Sequence, residues 1–144
     1  MDERNPLKLE SQLCFPLYAC SKEIIKLYKP FLDKLDLTYT QYITMMVMWE
    51  YKTITAHELG EKLYLDSGTL TPMLKKLESK GYIERSRSKR DERNLDVTIT
   101  ETGIKLRDKA VEVPTRLSQC LPLDADKALE LYKSLNELLA LLKK

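Results

Sequence analysis

Glycine is scarce in this 144-residue chain, with four in all, and neither a G-x-G-x-x-G nor a G-x-x-x-x-G-K run occurs. Both motifs use glycine to bring backbone N–H groups onto phosphates, so the common phosphate-loop enzymes are disfavoured. A single histidine, His57, and the lack of any C-x-x-C pair leave zinc without its usual ligands, and neither a metal nor another cofactor is expected. Three cysteines are an odd number, unlike the paired sets of secreted disulfide frameworks. No stretch approaches the ~18 uninterrupted apolar residues that cross a bilayer, and the opening Met1-Asp2-Glu3-Arg4-Asn5-Pro6 has no apolar signal core. A cytoplasmic address with no membrane partner is the expectation.

What is present describes a folded domain. Hydrophobic residues make up 43% and charged residues 32%, too apolar for a disordered chain and too charged for a membrane-embedded one. The length suits one domain over residues 1–144. Apolar residues recur at helical spacing from Leu9 to Leu35, interrupted by Pro16 and Pro30, which predicts a helix starting near Ser11 and bending near Lys29. Thr38 and Gln41 have the spacing of a capping box, and Tyr42, Met45, Met46 and Trp49 then mark one buried face of a helix over about 39–51. Thr55 with Glu58 repeats the start signal for a short helix. Asp66-Ser67-Gly68 opens another, with Leu70, Met73, Leu74 and Leu77 inward and its end at Gly81. Pro72 frees the carbonyl of Gly68 and predicts a kink or a tightened first turn there.

Two helices joined by a short turn have the outline of a helix-turn-helix. On the second, Ser67, Thr69, Thr71, Lys75 and Lys76 fall off the apolar stripe, where hydroxyls and amines can meet base edges or phosphates. Residues 82–87 and 95–100 then alternate around a polar connector and predict a β-hairpin. Between Lys75 and Arg93 eight basic side chains face four acidic ones, although the whole chain carries only +2. Arg85, Arg87, Lys89 and Arg90 belong to this local positive field, which is either a phosphate-binding surface or a solvated charged face. The fold class expected is mainly α with a β-hairpin wing: a winged helix-turn-helix over 38–100, flanked by helices over 7–36 and 101–144. Winged helices also serve as protein-interaction modules, so the fold leaves that alternative open.

Beyond Thr100 a helix is expected through Ile104, Leu106 and Ala110, past Pro114 and on to Cys120, with Pro122 ending it. A last helix from Asp124 carries Ala128, Leu131, Tyr132, Leu135, Leu138, Leu139 and Leu142. That stripe covers either the chain's own first helix or a second copy. A two-fold homodimer would also present two reading helices to a duplex.

Gln12-Leu13-Cys14-Phe15, the run Tyr64-Leu65-Asp66-Ser67-Gly68-Thr69-Leu70-Thr71-Pro72-Met73-Leu74-Lys75-Lys76 and the D-x-R triplet Asp91-Glu92-Arg93 resemble the MarR family of transcription regulators. Within it they are similar to the organic hydroperoxide resistance regulators and the staphylococcal-type oxidation sensors. The resemblance implies a dimeric repressor on double-stranded DNA with an inverted-repeat operator, its recognition helices in adjacent major grooves and Arg93 of each wing in a flanking minor groove, supported by Asp91. It also implies that Cys14 is the peroxide-reactive thiol and that Tyr18, Tyr28 and Tyr39 bond to it or enclose it. The chain departs from the family pattern at Pro16, where an aliphatic residue is usual.

An isolated cysteine in an apolar helix is as a rule an inert core residue. A thiolate populated by a helix amino end or a phenol donor is what makes a peroxide nucleophile, and capping by Ser11 would put Cys14 in the first turn, with Tyr18 one turn on. Reaction would give a sulfenic acid that a second thiol can trap. Six residues of helix separate the α-carbons of Cys14 and Cys20 by about 9 Å, beyond the usual ~7 Å limit for a bridge. The family dimer, in which carboxy-terminal helices of one subunit approach the amino-terminal helix of the other, implies Cys120 as the resolving thiol of an intersubunit disulfide. Three alternatives stand beside it: capping of Cys14 by a small thiol, a ligand-released repressor with incidental cysteines, and a thiol peroxidase.

Overall fold

The computed structural model describes residues 5–90 and 93–143, and they divide into two compact units, residues 1–113 and 114–144. The first unit opens with a 3-10 turn at Leu9–Ser11 and continues through α1 (Cys14–Asp33), α2 (Tyr39–Tyr51), β1 (Thr53–Thr55), α3 (Ala56–Leu63), α4 (Ser67–Ser79), β2 (Ile83–Arg87), β3 (Leu95–Ile99) and α5 (Glu101–Ala110). Helix α6 (Val113–Cys120) begins at its end, and α7 (Ala125–Leu142) belongs to the second unit. This is the mainly helical winged fold expected. Among the described residues no helix is long and apolar enough to cross a membrane.

The first helix differs from expectation at both ends. Ser11 closes the 3-10 turn instead of capping, and α1 starts at Cys14 behind Leu13, whose backbone is already helical and which supplies no side-chain cap. Pro16 is then the third residue of α1, a position whose N–H has no acceptor within the helix, so proline costs nothing there. Pro30 does not interrupt the helix, which runs unbroken to Asp33. It removes only the bond to the exposed Lys26 carbonyl, and the Lys29–Asp33 ion pair at 3.0 Å spans the same turn.

Local start signals work as read. Thr38 Oγ1 accepts from the Gln41 N–H while the Gln41 side chain accepts from the Thr38 N–H, a complete capping box; Thr55 and Asp66 cap α3 and α4 one way, each accepting from the N–H three residues on, as do Thr100 and Asp124 at the expected starts of α5 and α7. Pro72 leaves α4 continuous. Gly68, whose carbonyl it frees, is exposed to water, which takes the place of the lost donor. Gly81, at φ +81°, turns the chain after α4, with the N–H groups of Gly81 and Tyr82 donating to the Glu78 and Leu77 carbonyls.

Three expectations change. The helix expected from Thr100 to Cys120 is two, because Pro114 cannot donate to Ala110 and its ring crowds that carbonyl; it sits instead in the first turn of α6. The hairpin is part of a three-stranded antiparallel sheet in the order β1-β3-β2, with Ile54 opposite Val97 and Arg85 opposite Val97 on the other side. On α2, Met46 is 46% exposed, and the inward face is instead Tyr42, Met45 and Met48. The core of the first unit lies between α2, α3, α4 and the sheet, where Met45, Met48, Leu59, Leu77 and Val97 have no exposed surface.

Candidate DNA interface and thiol site

Helix α4 owes its presentation to its two ends. Asp66 Oδ1 accepts from the Thr69 N–H at 2.8 Å, and the preceding turn is made by Tyr64 in the left-handed region at φ 56°. Leu70, Met73, Leu74 and Leu77 are buried, which rotates Ser67, Thr69, Thr71, Lys75 and Lys76 outward, and all five are exposed. A helix with hydroxyls in its first turns and amines further on can set its positive amino end against a polyanion.

The basic cluster separates into two groups. Arg85 is only 18% exposed: its N–H donates to Glu78 Oε2 at 2.8 Å and its Nη2 to Glu78 Oε1 at 3.1 Å. The Arg85 side-chain bond, then its backbone N–H, hold the Glu78 carboxyl below the usual carboxylate range. Lys80 turns back to the α1–α2 corner, where its ammonium donates to the Asp36 carbonyl and to Gln41 Oε1. Lys75, Lys76, Arg87, Lys89, Arg90 and Arg93 are exposed. At the wing, Ser88 is buried, its N–H donating to the Asn94 carbonyl and its Oγ accepting from the Arg90 N–H. Asp91, expected to support the wing, lies outside the described residues.

The thiols are free and exposed at Cys14, Cys20 and Cys120. Cys14 is the first residue of α1, and Tyr18, one turn on, is 60% exposed with Lys22 Nζ 5.1 Å from its ring centre. Tyr28 is elsewhere. Fourteen residues of helix set it about 21 Å along α1 from Cys14, and its ring packs tilted against those of Tyr39 at 5.0 Å and Tyr42 at 5.8 Å. The three expected tyrosines therefore do not gather around the thiol of their own chain. Burial, then the neighbouring Tyr39 and Tyr42, push the Tyr28 phenol up to about 12. Beside this cluster a cavity of about 270 Å³ is lined by Ile25, Lys29, Leu32, Leu37 and Tyr39, among others. Two contributors were not singled out in the sequence: Tyr42, which periodicity assigns only to the core, and Glu78, whose partner lies across a turn where no periodicity reaches.

Residues 26–110 match the SarA/Rot transcriptional regulators. The chain is 56% identical over 108 residues to the organic hydroperoxide resistance transcriptional regulator of Bacillus subtilis, covering 75% of this chain and 74% of that protein. Its fold is similar to that of AbfR, a Staphylococcus epidermidis protein, in the reduced DNA-bound state, with a TM-score of 0.80 at 33% identity over 99% of this chain and 100% of the other. The disulfide-formed state of AbfR aligns with a TM-score of 0.61 at 35% identity over 98% of this chain and 94% of the other.

Proposed function

Because the chain belongs to the SarA/Rot family of transcriptional regulators, we propose that it is a redox-responsive repressor that grips double-stranded DNA as a homodimer and releases it when organic hydroperoxide oxidises Cys14. The observation that carries this reading is an exposed thiol at the amino end of α1 in a chain 56% identical over 108 residues to a hydroperoxide resistance regulator. Ser67, Thr69 and Thr71 meet base edges in the major groove and Lys75 and Lys76 the flanking phosphates. Arg87, Lys89 and Arg90 follow the backbone along the wing, and Arg93 enters the minor groove.

The dimer is supported by what one copy leaves uncovered. No residue of α7 is buried, and Leu131, Tyr132, Leu138 and Leu142 are all exposed, as are Leu13 and Leu17 near the thiol. The flanking segments 7–36 and 101–144 serve this dimerisation. If the two α1 helices run antiparallel about a two-fold axis, the gap of about 21 Å between Cys14 and Tyr28 of the same chain is closed from the other side. Tyr28 of the partner subunit and Tyr39 of the partner subunit then face the thiol, while Tyr18 comes from the same chain.

The thiolate attacks one peroxide oxygen: an S–O bond forms, the O–O bond breaks and the alcohol leaves, so that sulfur is oxidised by two electrons and the peroxide reduced. Cys120 of the second copy then attacks the sulfenic sulfur, forming the S–S bond and releasing water. That the similar AbfR has a disulfide-formed state supports a disulfide step of this kind. A gel shift on an inverted-repeat duplex tests the function: reduced protein is expected to bind, steeply more weakly as salt rises, and hydroperoxide-treated protein to release. On a non-reducing gel a dimer-sized band is expected that Cys120→Ser abolishes. A small mass increase on monomers would assign capping by a small thiol instead. The cavity beside Tyr39 favours one second reading, release by a small apolar ligand, under which Cys14→Ser leaves induction intact.

A further inference from the structure

Glu78 occupies a position that both of its local surroundings disfavour. It sits in the last turns of α4, where the helix dipole repels an acid, and it lies among the basic residues that a duplex would approach, where a carboxylate repels phosphate. What it gains is Arg85. Strand β2 is the edge of the sheet, and the Arg85 N–H donates to one Glu78 oxygen while the guanidinium donates to the other. The Arg85 Nε is buried and has no partner among the described residues, so this guanidinium is seated in the protein, unlike its exposed neighbour Arg87.

We propose that Glu78 is a positioning residue for DNA binding: by holding Arg85 at two points it sets the angle between the recognition helix and the wing, and so whether both reach one operator half-site together. The inference rests on the DNA-binding function proposed above and adds a division of labour within the basic cluster. Arg85 acts through Glu78, whereas the exposed cations act on phosphate. A bidentate contact through one main-chain and one side-chain donor fixes β2 in both rotation and distance, which a single exposed ion pair does not.

The test uses the reduced full-length protein, a duplex selected from a random pool by the wild type, and an unrelated duplex of equal length. Glu78→Gln is expected to weaken binding to the selected duplex about tenfold, the worth of one charge-assisted hydrogen bond. Binding to the unrelated duplex is expected to stay the same or tighten, because the variant carries one more net positive charge. Arg85→Gln is expected to leave the salt dependence unchanged, where loss of a direct phosphate contact lowers its slope by about 0.9. The double variant is expected to bind no more weakly than either single one. Unchanged or tighter binding of Glu78→Gln to the selected duplex, additive losses, or a fall in the Arg85→Gln slope each overturn the proposal. If Glu78→Gln melts below the assay temperature, Arg85→Lys carries the same expectation: weaker on the selected duplex, unchanged on the unrelated one. A wild type that selects no duplex refutes the DNA-binding reading itself and is thereby told apart from a failure of the clamp.

Discussion

Cys14→Ser protein is expected to stay on its operator through a hydroperoxide challenge that weakens the parent about a hundredfold, a change of ~2.8 kcal/mol. Serine keeps the size of the side chain and its place as the first residue of α1, so binding by the reduced protein should be unaffected. What it lacks is a polarisable, easily ionised atom that can accept oxygen from a peroxide. The parent needs only a modest difference in DNA affinity between its reduced and bridged forms, because a hundredfold shift empties an operator that was nearly saturated. The measurement is the dissociation constant of parent and variant before and after treatment with cumene hydroperoxide. Equal release of both would sink the sensor assignment and leave the ligand-released repressor.

Gly103→Ala is expected to destabilise the fold by about 3 kcal/mol, the upper end for an overpacked site, and to lower the melting temperature by about 10 °C for a chain of this size. Gly103 is the third residue of α5, with its N–H bonded to the capping Thr100 Oγ1 at 3.1 Å. A Cβ there would overlap the Tyr82 carbonyl oxygen and lie 2.8 Å from Ile99 Cγ1. The carbonyl cannot step aside without loss, since it accepts the Thr100 N–H at 3.0 Å where the chain leaves the sheet. Moving α5 outward instead would stretch the 2.9 Å bond from Trp49 Nε1 to the Gly103 carbonyl, which ties α2 to α5. Thermal denaturation followed by circular dichroism checks this. A variant melting within 2–3 °C of the parent, the shift about 1 kcal/mol produces, would show that the contact relaxes easily.

Both predictions draw on features of different visibility. The caps at Thr38, Thr55 and Asp66 were legible because a cap joins a side chain to a backbone N–H three residues on, so the whole interaction lies inside a short window of sequence. The α4 stripe and the wing strands were legible for the same reason of local period. Strand β1 was not: three residues gain their identity from pairing with Asp96, Val97 and Thr98, far along the chain. Pro114 is plain in the sequence, but the apolar periodicity on both sides of it masks its consequence, a break between α5 and α6. Met46 shared the spacing of a buried face, yet only packing decides which edge of a wide apolar stripe turns inward.

The order and type of the other elements, the hydroxyl and amine face of α4 and the thiol near the amino end follow from the sequence alone, since each depends on residues within a turn or two of one another. Which basic residues remain available to a duplex, and which tyrosines can approach Cys14, were decided by tertiary structure. Arg85 and Lys80 are claimed by Glu78 and by the α1–α2 corner, partners that chain spacing does not reveal. The rigid length of α1 carries Tyr28 away from the thiol of its own chain, because an α-helix converts sequence separation into distance at a constant rise.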